Sequence, residues 1–270
     1  MVGMKDLSFE QLIIWCCAAD ESLLRNKVKE VLLQHNFSYV EDDYVSYRNQ
    51  LDDKYHVSAN NLLFSRGNAK YCLVAHTDVC RDHAAIEYKK ERVTPNPVVK
   101  ELDGVKIIQD EKCEVQVGGD DRLGVAIALW IALHTEHDMS ILFTTDEEVG
   151  LCSAHYVKFE QLKNFDLLIQ IDRGNNINQI VTEIHKLQIC DAEMMHFISD
   201  LFQKNNIKRE FVKGFGTDVY AIKKKNFCKN AINMTCGYHD SKYDSGEEYI
   251  NVSEALEAIK VVVSFLESGK

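Results

Sequence analysis

The sequence predicts an α/β protein in which helices cover both faces of a mixed, largely parallel central sheet, giving three α/β/α layers. Four short apolar runs, YCLVA, ILFTT, LLIQI and AINMTC, are rich in residues favoured in strands, and each is followed by polar or acidic residues. Such runs are typical of strands buried on both faces. The 270 residues, 46% of them apolar, are enough for one large core, so we expect a single domain over residues 1–270.

Before the first of these runs, the chain carries helical signals. Ser8 can cap a helix through FEQLIIWCCAA, and ESLLRNKVKEVLLQHN has apolar residues at helical spacing. Between Tyr39 and Phe64 the pattern becomes short and β-like, with Asn and Asp breaks. This stretch predicts a hairpin that leads into the sheet.

The later elements follow from local signals of the same kind. Both prolines lie in one connecting segment, which precedes a predicted hairpin around Asp103 and Gly104. The stretch GGDDRLGVAIALWIALHTE predicts a glycine-rich turn into a strongly periodic helix, with Asp120 at the helix entrance. Two further helices are predicted over 191–205 and 253–266, each capped by its first residue.

Composition and charge exclude several classes of function. A formal net charge of -11 disfavours a nucleic-acid partner, because binding phosphates requires a surplus of Lys and Arg. The N-terminal stretch lacks the basic start and cleavage site of a signal peptide, and no apolar run approaches the ~18 residues of a membrane span. We therefore expect a cytoplasmic protein without a membrane partner. None of the nine cysteines is spaced as Cys-x-x-Cys, which favours free thiols.

Metal-ligand and acid/base side chains end five short segments of the chain. Two imidazoles and three carboxylates can hold two divalent cations if one carboxylate bridges them, and a further carboxylate can then act as a base. Nucleophile elbows, Walker loops and dinucleotide-binding glycine turns are absent from the sequence. The candidate residues are His76 and Asp78 in AHTDV, Asp120 in GGDDRLG, Glu147 and Glu148 in TTDEEVG, Asp172 in QID, and His239 in CGYHDS.

The residue types suggest which of these groups bind metal, which orients a ligand and which acts as a base. In a His-x-Asp pair the two side chains leave a strand on opposite faces, so we expect His76 to bind metal and Asp78 to orient it. We assign the bridge to Asp120, since a carboxylate has two oxygens for two cations. The adjacent acids of DEEVG repel one another unless cations lie nearby. One of Glu147 and Glu148 is then the base and the other a ligand.

The ordered motifs HTD, GGDDRLG, DEEVG, QID and GYHDS resemble those of the superfamily of co-catalytic two-metal zinc exopeptidases. Within it, the sequence is similar to peptidase T and, in DDRLG, EEVGL and GFGTDVYAI, to the tetrahedral and glutamyl aminopeptidases. The similarity covers roughly residues 75–250. It implies the hydrolase-type α/β core of those enzymes. It also implies that His76 and Asp172 ligate one metal and Glu148 and His239 the other, with Asp120 bridging.

The resemblance further implies catalytic and substrate-side roles. Asp78 would orient the histidine ligand, and Glu147 would be the general base and later the proton donor to the leaving amine. A loop that lines the substrate side in those relatives matches Gly216, Thr217 and Asp218.

The spacing of the motifs differs from that of the relatives, which insert a lid or dimerisation domain. The interval from Asp172 to His239 is 239 − 172, or 67 positions, and that from Asp78 to Asp120 is 120 − 78, or 42. Neither is long enough for an inserted domain. We therefore expect a bare catalytic core, and the possibility of a homo-oligomer stays open.

These observations favour a metallo-aminopeptidase that acts on short peptides with two divalent metal ions, most simply Zn, with Mn or Co as alternatives. A second hypothesis is an amidohydrolase acting on N-acyl amino acids, or a carboxypeptidase, which would hold the substrate carboxylate with a cation such as Arg122 or Arg173. A third is a metal-binding scaffold without catalytic turnover.

Overall fold

The structure is a computed structural model that describes residues 3–46, 60–82, 93–176, 178–240 and 246–269. Its strands form two sheets. In chain order they are β1 (Ser38–Glu41), β2 (Leu62–Arg66), β3 (Tyr71–His76), β4 (Pro97–Leu102), β5 (Val105–Asp110), β6 (Met139–Thr144), β7 (Leu167–Arg173), β8 (Gln179–Ile184), β9 (Leu187–Gln188), β10 (Glu210–Gly214), β11 (Ala231–Thr235), β12 (Tyr238–His239) and β13 (Tyr249–Asn251).

The central sheet has the strand order β1-β2-β6-β3-β7-β11-β8-β10, and β9 lies beside β8. Its middle strands β6, β3, β7 and β11 are parallel to one another, whereas β2 is antiparallel to β6 and β8 to β11. The predicted mixed, largely parallel sheet is confirmed. The smaller sheet, ordered β12-β13-β5-β4, is antiparallel throughout.

Helices lie on both faces of the central sheet. They are α1 (Phe9–Ala18), α2 (Glu21–Gln34), α3 (Gly119–His134), α4 (Cys152–Tyr156), α5 (Ala192–Lys204), α6 (Asp218–Lys224) and α7 (Val252–Ser268), with 3₁₀ turns at Met4–Asp6 and Glu160–Asn164. Among the described residues, no helix combines the length and apolar content needed to cross a bilayer.

Alternate side chains of the buried strands pack against different helical layers. In β3, Leu73 and Ala75 face the core formed with α1, α2, α3, α5 and α7, whereas Cys72 and Val74 face the core that includes α6 and the second 3₁₀ turn. A strand covered on both faces needs apolar residues at every position. This packing explains the uninterrupted apolar runs and confirms the three-layer fold.

Local signals located most helix ends and turns. The side chain of Ser8 caps α1 by accepting a hydrogen bond from the Gln11 amide, and Asp191 caps α5 by accepting one from Met194. The hairpin at Asp103 is confirmed by the pairing of β4 with β5. For the hairpin predicted between residues 39 and 64, β1 and β2 pair as expected, but residues 47–59 lie outside the described residues.

The predicted cap of the last helix is wrong. Helix α7 begins at Val252, and its cap is Asn251, whose side-chain oxygen accepts hydrogen bonds from the amides of Ser253 and Glu254. Asn251 is also the last residue of β13. Ser253 therefore lies inside the first turn of the helix.

Candidate active site

Three neighbouring parallel strands bring their carboxyl ends to one edge of the central sheet. Strand β3 ends at His76, which pairs with Thr144 at the end of β6, and Asp172 lies near the end of β7 on the other side of β3. In open α/β sheets this edge forms the binding crevice. Residues 147 and 148 lie three and four positions after the end of β6, so strand order brings the motifs of β3, β6 and β7 together.

The entrance of α3 brings a fourth motif to the same edge. Gly118, the residue before the helix, has a φ of 86°, a left-handed conformation that glycine adopts without a steric penalty. Gly124 allows α3 to approach β7 closely, because a Cβ there would lie 2.7 Å from the carbonyl oxygen of Ile171. As a result, Asp120 is half-buried next to the strand ends. Its peptide bond to Asp121 is cis.

His76 is fully buried at the centre of the site. Its Nε2 lies 3.0 Å from Asp120 Oδ1 and 3.7 Å from Asp172 Oδ1, while its Nδ1 lies 3.2 Å from the main-chain oxygen of Asp78 and 3.3 Å from Asp78 Oδ1. A hydrogen bond from Nδ1 to Asp78 leaves Nε2 as the nitrogen available to a metal. This geometry agrees with the orienting role expected for Asp78.

Asp78 also fixes the backbone of the two glutamates. Its Oδ1 and Oδ2 accept hydrogen bonds of 3.2 Å from the amides of Glu147 and Glu148 respectively. The preceding acid, Asp146, points elsewhere and accepts hydrogen bonds from the hydroxyl groups of Tyr44 and Ser46. Of the three acids in DEEVG, only the two glutamates contribute to the candidate metal site.

Two sets of potential metal ligands have their ligand atoms close enough together to bind a single ion. His76, Glu147 and Asp172 form one set, and His76, Asp120 and Glu148 form the other, with the ligand atoms in each lying within 4.8 Å of one another. Both sets contain the same imidazole. The structure therefore places five of the candidate residues close together: His76, Asp120, Glu147, Glu148 and Asp172.

The electrostatics of this cluster suit a cation. Burial raises the pKa of Asp172 to about 7, with a further contribution from the charge of Asp120, and burial also raises the pKa values of Glu147 and Glu148 well above the usual range. Burial tends to lower the pKa of His76, but the hydrogen bonds that its ring donates to the carboxylates of Asp120, Asp172 and Asp78 raise it well above its ordinary value. An excess of buried carboxylates around one imidazole fits divalent metal ions, which supply the missing positive charge.

His239 does not join this cluster. Its Nε2 lies 2.8 Å from Glu254 Oε2, and its ring stacks on Tyr249 with the ring centroids 5.0 Å apart. It belongs to β12 of the smaller sheet and is absent from both ligand sets found among the described residues. The metal-ligand role predicted for His239 thus has no supporting contact in the part of the chain that the structure describes.

The loop expected to line the substrate side lies partly behind the site. The Thr217 hydroxyl donates a 2.8 Å hydrogen bond to Asp172 Oδ2, and Asp218 is buried with its Oδ2 accepting a hydrogen bond from the Thr144 hydroxyl. Asp218 Oδ1 is buried and has no hydrogen-bond partner among the described residues. Gly216 lies near Leu151, and the neighbouring Phe215 is 82% exposed. Thr217 and Asp218 therefore support the centre, whereas Phe215 and Gly216 lie closer to solvent.

Sequence reasoning missed two residues that hold Asp120. The Tyr238 hydroxyl donates a 2.9 Å hydrogen bond to Asp120 Oδ2. The carboxylate of Glu248 accepts hydrogen bonds from the amides of Gly118 and Asp120, at 2.7 and 3.3 Å, and burial raises its pKa to about 7. Tyr238 follows the glycine of the GYHDS motif. Its place inside a predicted site motif was the one sequence feature that could have indicated its contact with Asp120.

Neither candidate cation for a substrate carboxylate is directed at the centre. Arg122 is fully buried, and its guanidinium donates to the main-chain oxygens of Cys16 and Ala19. The Arg173 guanidinium donates to the side chain of Gln179. This placement weakens the case for an amidohydrolase or carboxypeptidase that relies on these two residues.

An open cavity of about 280 Å³ adjoins one side of the centre. Asp120 and Glu148 lie in its wall, together with Asp240 from the segment after β12. The cavity gives a substrate or solvent direct access to the carboxylates.

Comparisons with known proteins are consistent with this site. The sequence model of a family described as M42 glutamyl aminopeptidase matches residues 106–245, just over half of the chain. A search of curated proteins found no match.

Several solved structures share the fold at low sequence identity. Aminopeptidase PepT from Bacillus cereus is 13% identical with a TM-score of 0.71, covering 98% of this chain and 99% of that one. A tripeptidase from Staphylococcus aureus is 13% identical with a TM-score of 0.72, covering 98% of each chain. The TET1 peptidase of Pyrococcus horikoshii is 12% identical with a TM-score of 0.67, covering 96% of this chain and 99% of that one.

Proposed function

Since the chain belongs to the M42 glutamyl aminopeptidase family, we propose that it releases N-terminal residues from short peptides with a pair of divalent cations at the carboxylate centre. The protein is a metal-dependent aminopeptidase. The proposal concerns the identity of its metal ions and the residues that bind them or transfer protons. The observation that supports the proposal is that His76, at the end of β3, lies beside four acidic side chains that come from two further strand ends and one helix entrance.

The residues divide into cation ligands and groups that move protons. His76 and Asp172 would hold one cation and Glu148 the other, and the Asp120 carboxylate would be shared by both. When bound, divalent cations at such a site polarise the scissile carbonyl group and make water more acidic. Mixed imidazole and carboxylate ligands suit Zn and also accept Mn or Co.

Glu147 is the proposed general base. Its carboxylate takes a proton from the water that attacks the scissile carbonyl carbon, and it then returns that proton to the leaving amine as the C–N bond breaks. The Asp78 carboxylate restrains the backbone at this residue by accepting a hydrogen bond from the main-chain amide of Glu147. Asp78 thus positions both the histidine ligand and the base.

Replacing Glu147 with Gln tests the proposal directly. Gln keeps the size of the side chain but cannot accept the proton, so we expect kcat to fall by roughly 10²–10⁴-fold. Metal content, measured by elemental analysis, should stay close to that of the wild type. Glu160→Gln, at an exposed glutamate of the second 3₁₀ turn, is the matched control and should behave as the wild type. Full activity in Glu147→Gln would reject the role of this residue.

A substrate panel separates the proposal from its two rivals. Peptides with a free N-terminal amine should be cleaved, whereas N-acylated amino acids and peptides blocked at the N-terminus should not. Preference for the blocked substrates would favour an amidohydrolase. A metal-replete protein that cleaves no member of a broad library would favour a scaffold.

We also propose a single catalytic domain that assembles with copies of itself in the cytoplasm. The solved structures of similar fold include a dodecamer and a peptidase that forms a tetrahedron or an octahedral shell. The described cysteines form no disulfide with one another, which fits a reducing compartment. Light scattering coupled to size-exclusion chromatography measures the assembly, and a monomer at micromolar concentration would contradict it.

A further inference from the structure

We infer that the protein has a second binding site, separate from the carboxylate centre, which takes a small zwitterion by its carboxylate, either a free amino acid or a dipeptide. The site is an open cavity of about 570 Å³ between the end of α5, helix α7 and the segment that leads into β10. None of the described residues that line it belongs to either metal-ligand set. The inference goes beyond the proposed function, because it requires neither bound metal nor peptide cleavage.

The first observation is the incomplete pairing of Arg209, which lines this cavity. Its Nη1 donates hydrogen bonds to the main-chain oxygen and to the hydroxyl group of Thr235, at the end of β11. Its Nε and Nη2 donate to no residue in the described part of the chain. These two nitrogens form one edge of the guanidinium group, and such an edge can donate to both oxygens of a carboxylate. Because Thr235 holds Nη1, the free edge has a fixed orientation before a ligand arrives.

The second observation is that this cation is partly removed from water. Burial lowers the pKa of Arg209 to about 10, although the charges of Glu257 and Glu254 oppose the shift. Neither glutamate forms an ion pair with Arg209 within the described ranges. A desolvated charge without a partner is unfavourable, and a carboxylate bound to the free edge would supply that partner.

The third observation is the charge of the surrounding wall. Lys208 and Lys260 also line the cavity, although Lys260 is paired with Glu257 at 2.5 Å. Lys208 is exposed and adds a second cation beside Arg209. In a protein with a net charge of -11, this local group of cations favours an anionic ligand.

The rest of the wall indicates a zwitterion and not a phosphate. The carboxylates of Glu257 and Glu267 would repel a dianion, whereas they can accept hydrogen bonds from an ammonium group. The side chains of Ile207, Val261 and Val263 supply aliphatic surface. An amino acid with an aliphatic side chain, such as leucine, matches all three kinds of wall. The volume also lies within the range of about 300–1,000 Å³ that is usual for small-molecule sites.

Equilibrium dialysis of the full chain against isotope-labelled leucine tests this inference. The measurement is made on the metal-loaded protein and on metal-free protein from which the chelator has been removed. One equivalent of leucine should bind to the metal-free protein, because the cavity contains no metal ligand. Absence of saturable binding to the metal-free protein up to millimolar leucine would overturn the inference.

Unlabelled competitors identify the groups that are recognised. 3-Methylbutylamine lacks the carboxylate and should not compete, whereas 4-methylpentanoate lacks the ammonium group and should compete more weakly than leucine. Leucylglycine, tested on the metal-free protein so that it stays intact, distinguishes a dipeptide from a free amino acid as the preferred ligand. Inorganic phosphate that displaces leucine more effectively than either would contradict a zwitterion site.

Two variants connect the binding to this cavity. Arg209→Lys keeps the positive charge but loses the two-nitrogen edge, so leucine affinity should fall by at least about tenfold. Lys260→Glu reverses the charge of a side chain that is 67% exposed, so it should weaken binding without affecting the fold. Lys163→Glu is the matched control, because Lys163 is also an exposed lysine paired with the glutamate three positions before it. Wild-type affinity in a folded Arg209→Lys protein would overturn the inference, and so would an equal loss in Lys260→Glu and Lys163→Glu.

These measurements fail separately from the proposed function. A protein that binds leucine when metal-free but cleaves no peptide when metal-loaded would reject the proposed function and leave the second site in place. A protein that cleaves peptides but binds no leucine when metal-free would do the reverse.

Discussion

At the scale of single residues, Asp78 is the side chain on which the geometry of the centre depends most. It contacts the ring of His76 and accepts hydrogen bonds from the amides of both glutamates. A carboxylate behind a histidine ligand fixes the ring and raises its basicity as a ligand. One buried charge thus connects the motif after β3 with the motif after β6.

We predict that Asp78→Asn weakens metal binding. Asn keeps the shape of the side chain but loses the charge, and its amide group can accept from only one of the two backbone amides. The main-chain oxygen of residue 78 still faces His76 Nδ1. We therefore expect a loss of about tenfold in Zn affinity, at the lower end of the usual range for such partners. Competition with a chromogenic chelator measures it, and Asp103→Asn in the exposed turn is the control. Unchanged affinity would mean that the main-chain oxygen alone orients the ring.

Thr217 gives a second prediction at this scale. Its hydroxyl donates to Asp172 Oδ2, which also accepts a hydrogen bond from the side chain of Gln170. Thr217→Val removes one of these donors from a buried carboxylate, which should lower the free energy of unfolding of the metal-free protein by about 1–3 kcal/mol at pH 8. Thr217→Ser keeps the hydroxyl and should recover most of that loss. Urea unfolding measures both, and equal stability of the Val and Ser variants would contradict the role of the hydrogen bond.

The sequence identified the acids and the histidine whose positions follow from strand order. His76 and Asp172 lie at the ends of buried apolar runs, Glu147 and Glu148 follow another such run within four positions, and parallel neighbours bring those ends together. The placement of His239 was not predictable in this way. It follows β11 but belongs to the smaller sheet, and its pairing with Glu254 depends on tertiary packing that no local pattern records.

Buried residues that form hydrogen bonds with the site residues could not be predicted from sequence patterns either. Glu248 contacts the amides of Gly118 and Asp120, and the two contacts join residues 130 and 128 positions apart. The second of two adjacent glutamates in the run GEEYIN carries no signal that it is buried. Long-range hydrogen bonds of this kind are determined by how the two sheets meet.

At the scale of elements, helix caps were predictable where the cap residue directly precedes the apolar periodic stretch. Ser8 comes directly before FEQL and Asp191 directly before AEMM, and both cap their helices. Before α7 the sequence offers both Asn251 and Ser253, which have similar preferences for the cap position. The pairing of β13 with β5 extends the strand to Asn251 and so decides between them.

We predict that the two candidate caps differ in their effect on stability. Asn251→Ala removes the acceptor for two amides at the start of α7 and should lower the free energy of unfolding by about 1 kcal/mol. Ser253→Ala lies on an exposed position inside the helix and should change it by less than about 0.5 kcal/mol. The midpoints of urea unfolding give both changes in free energy, provided that the dependence of the unfolding free energy on urea concentration is the same for each variant. A larger loss of unfolding free energy in Ser253→Ala than in Asn251→Ala would indicate that Ser253 is the cap, as predicted from the sequence.

At the scale of the whole molecule, the fold concentrates negative charge at one edge of the sheet. The net charge is -11, and several of the acids responsible are buried around His76. Buried like charges oppose folding unless protons or cations neutralise them. The stability of the protein should therefore depend on whether the centre holds metal.

We predict that chelation lowers the melting temperature. Cations bind the folded centre and not the unfolded chain, so a metal present at about 100 times its Kd adds about 2.7 kcal/mol to the free energy of unfolding. For a chain of this size the shift corresponds to roughly 5–10 °C. Differential scanning calorimetry with EDTA and with Zn measures it. In Asp120→Asn the difference between the two conditions should shrink, and an equal shift in that variant would place the stabilising ion elsewhere.

The same charges predict how the metal-free protein responds to pH. Burial raises the pKa of Asp218 to about 6 and those of Asp172 and Glu248 to about 7, so between pH 4 and pH 7 the folded state binds more protons than the unfolded state. Unfolding then releases protons, and stability falls as the pH rises through this window. The raised pKa of His76 acts in the same direction above its unfolded value. In EDTA we therefore expect a lower melting temperature at pH 8 than at pH 5.

With Zn bound, protons and cations compete for the same carboxylates, so the trend should flatten or reverse. Melting curves at both pH values, with and without metal, provide the comparison. A metal-free protein that becomes more stable between pH 5 and pH 8 would show that the buried acids are not protonated in the folded state. The charge of the centre would then have to be balanced by a group other than those around His76.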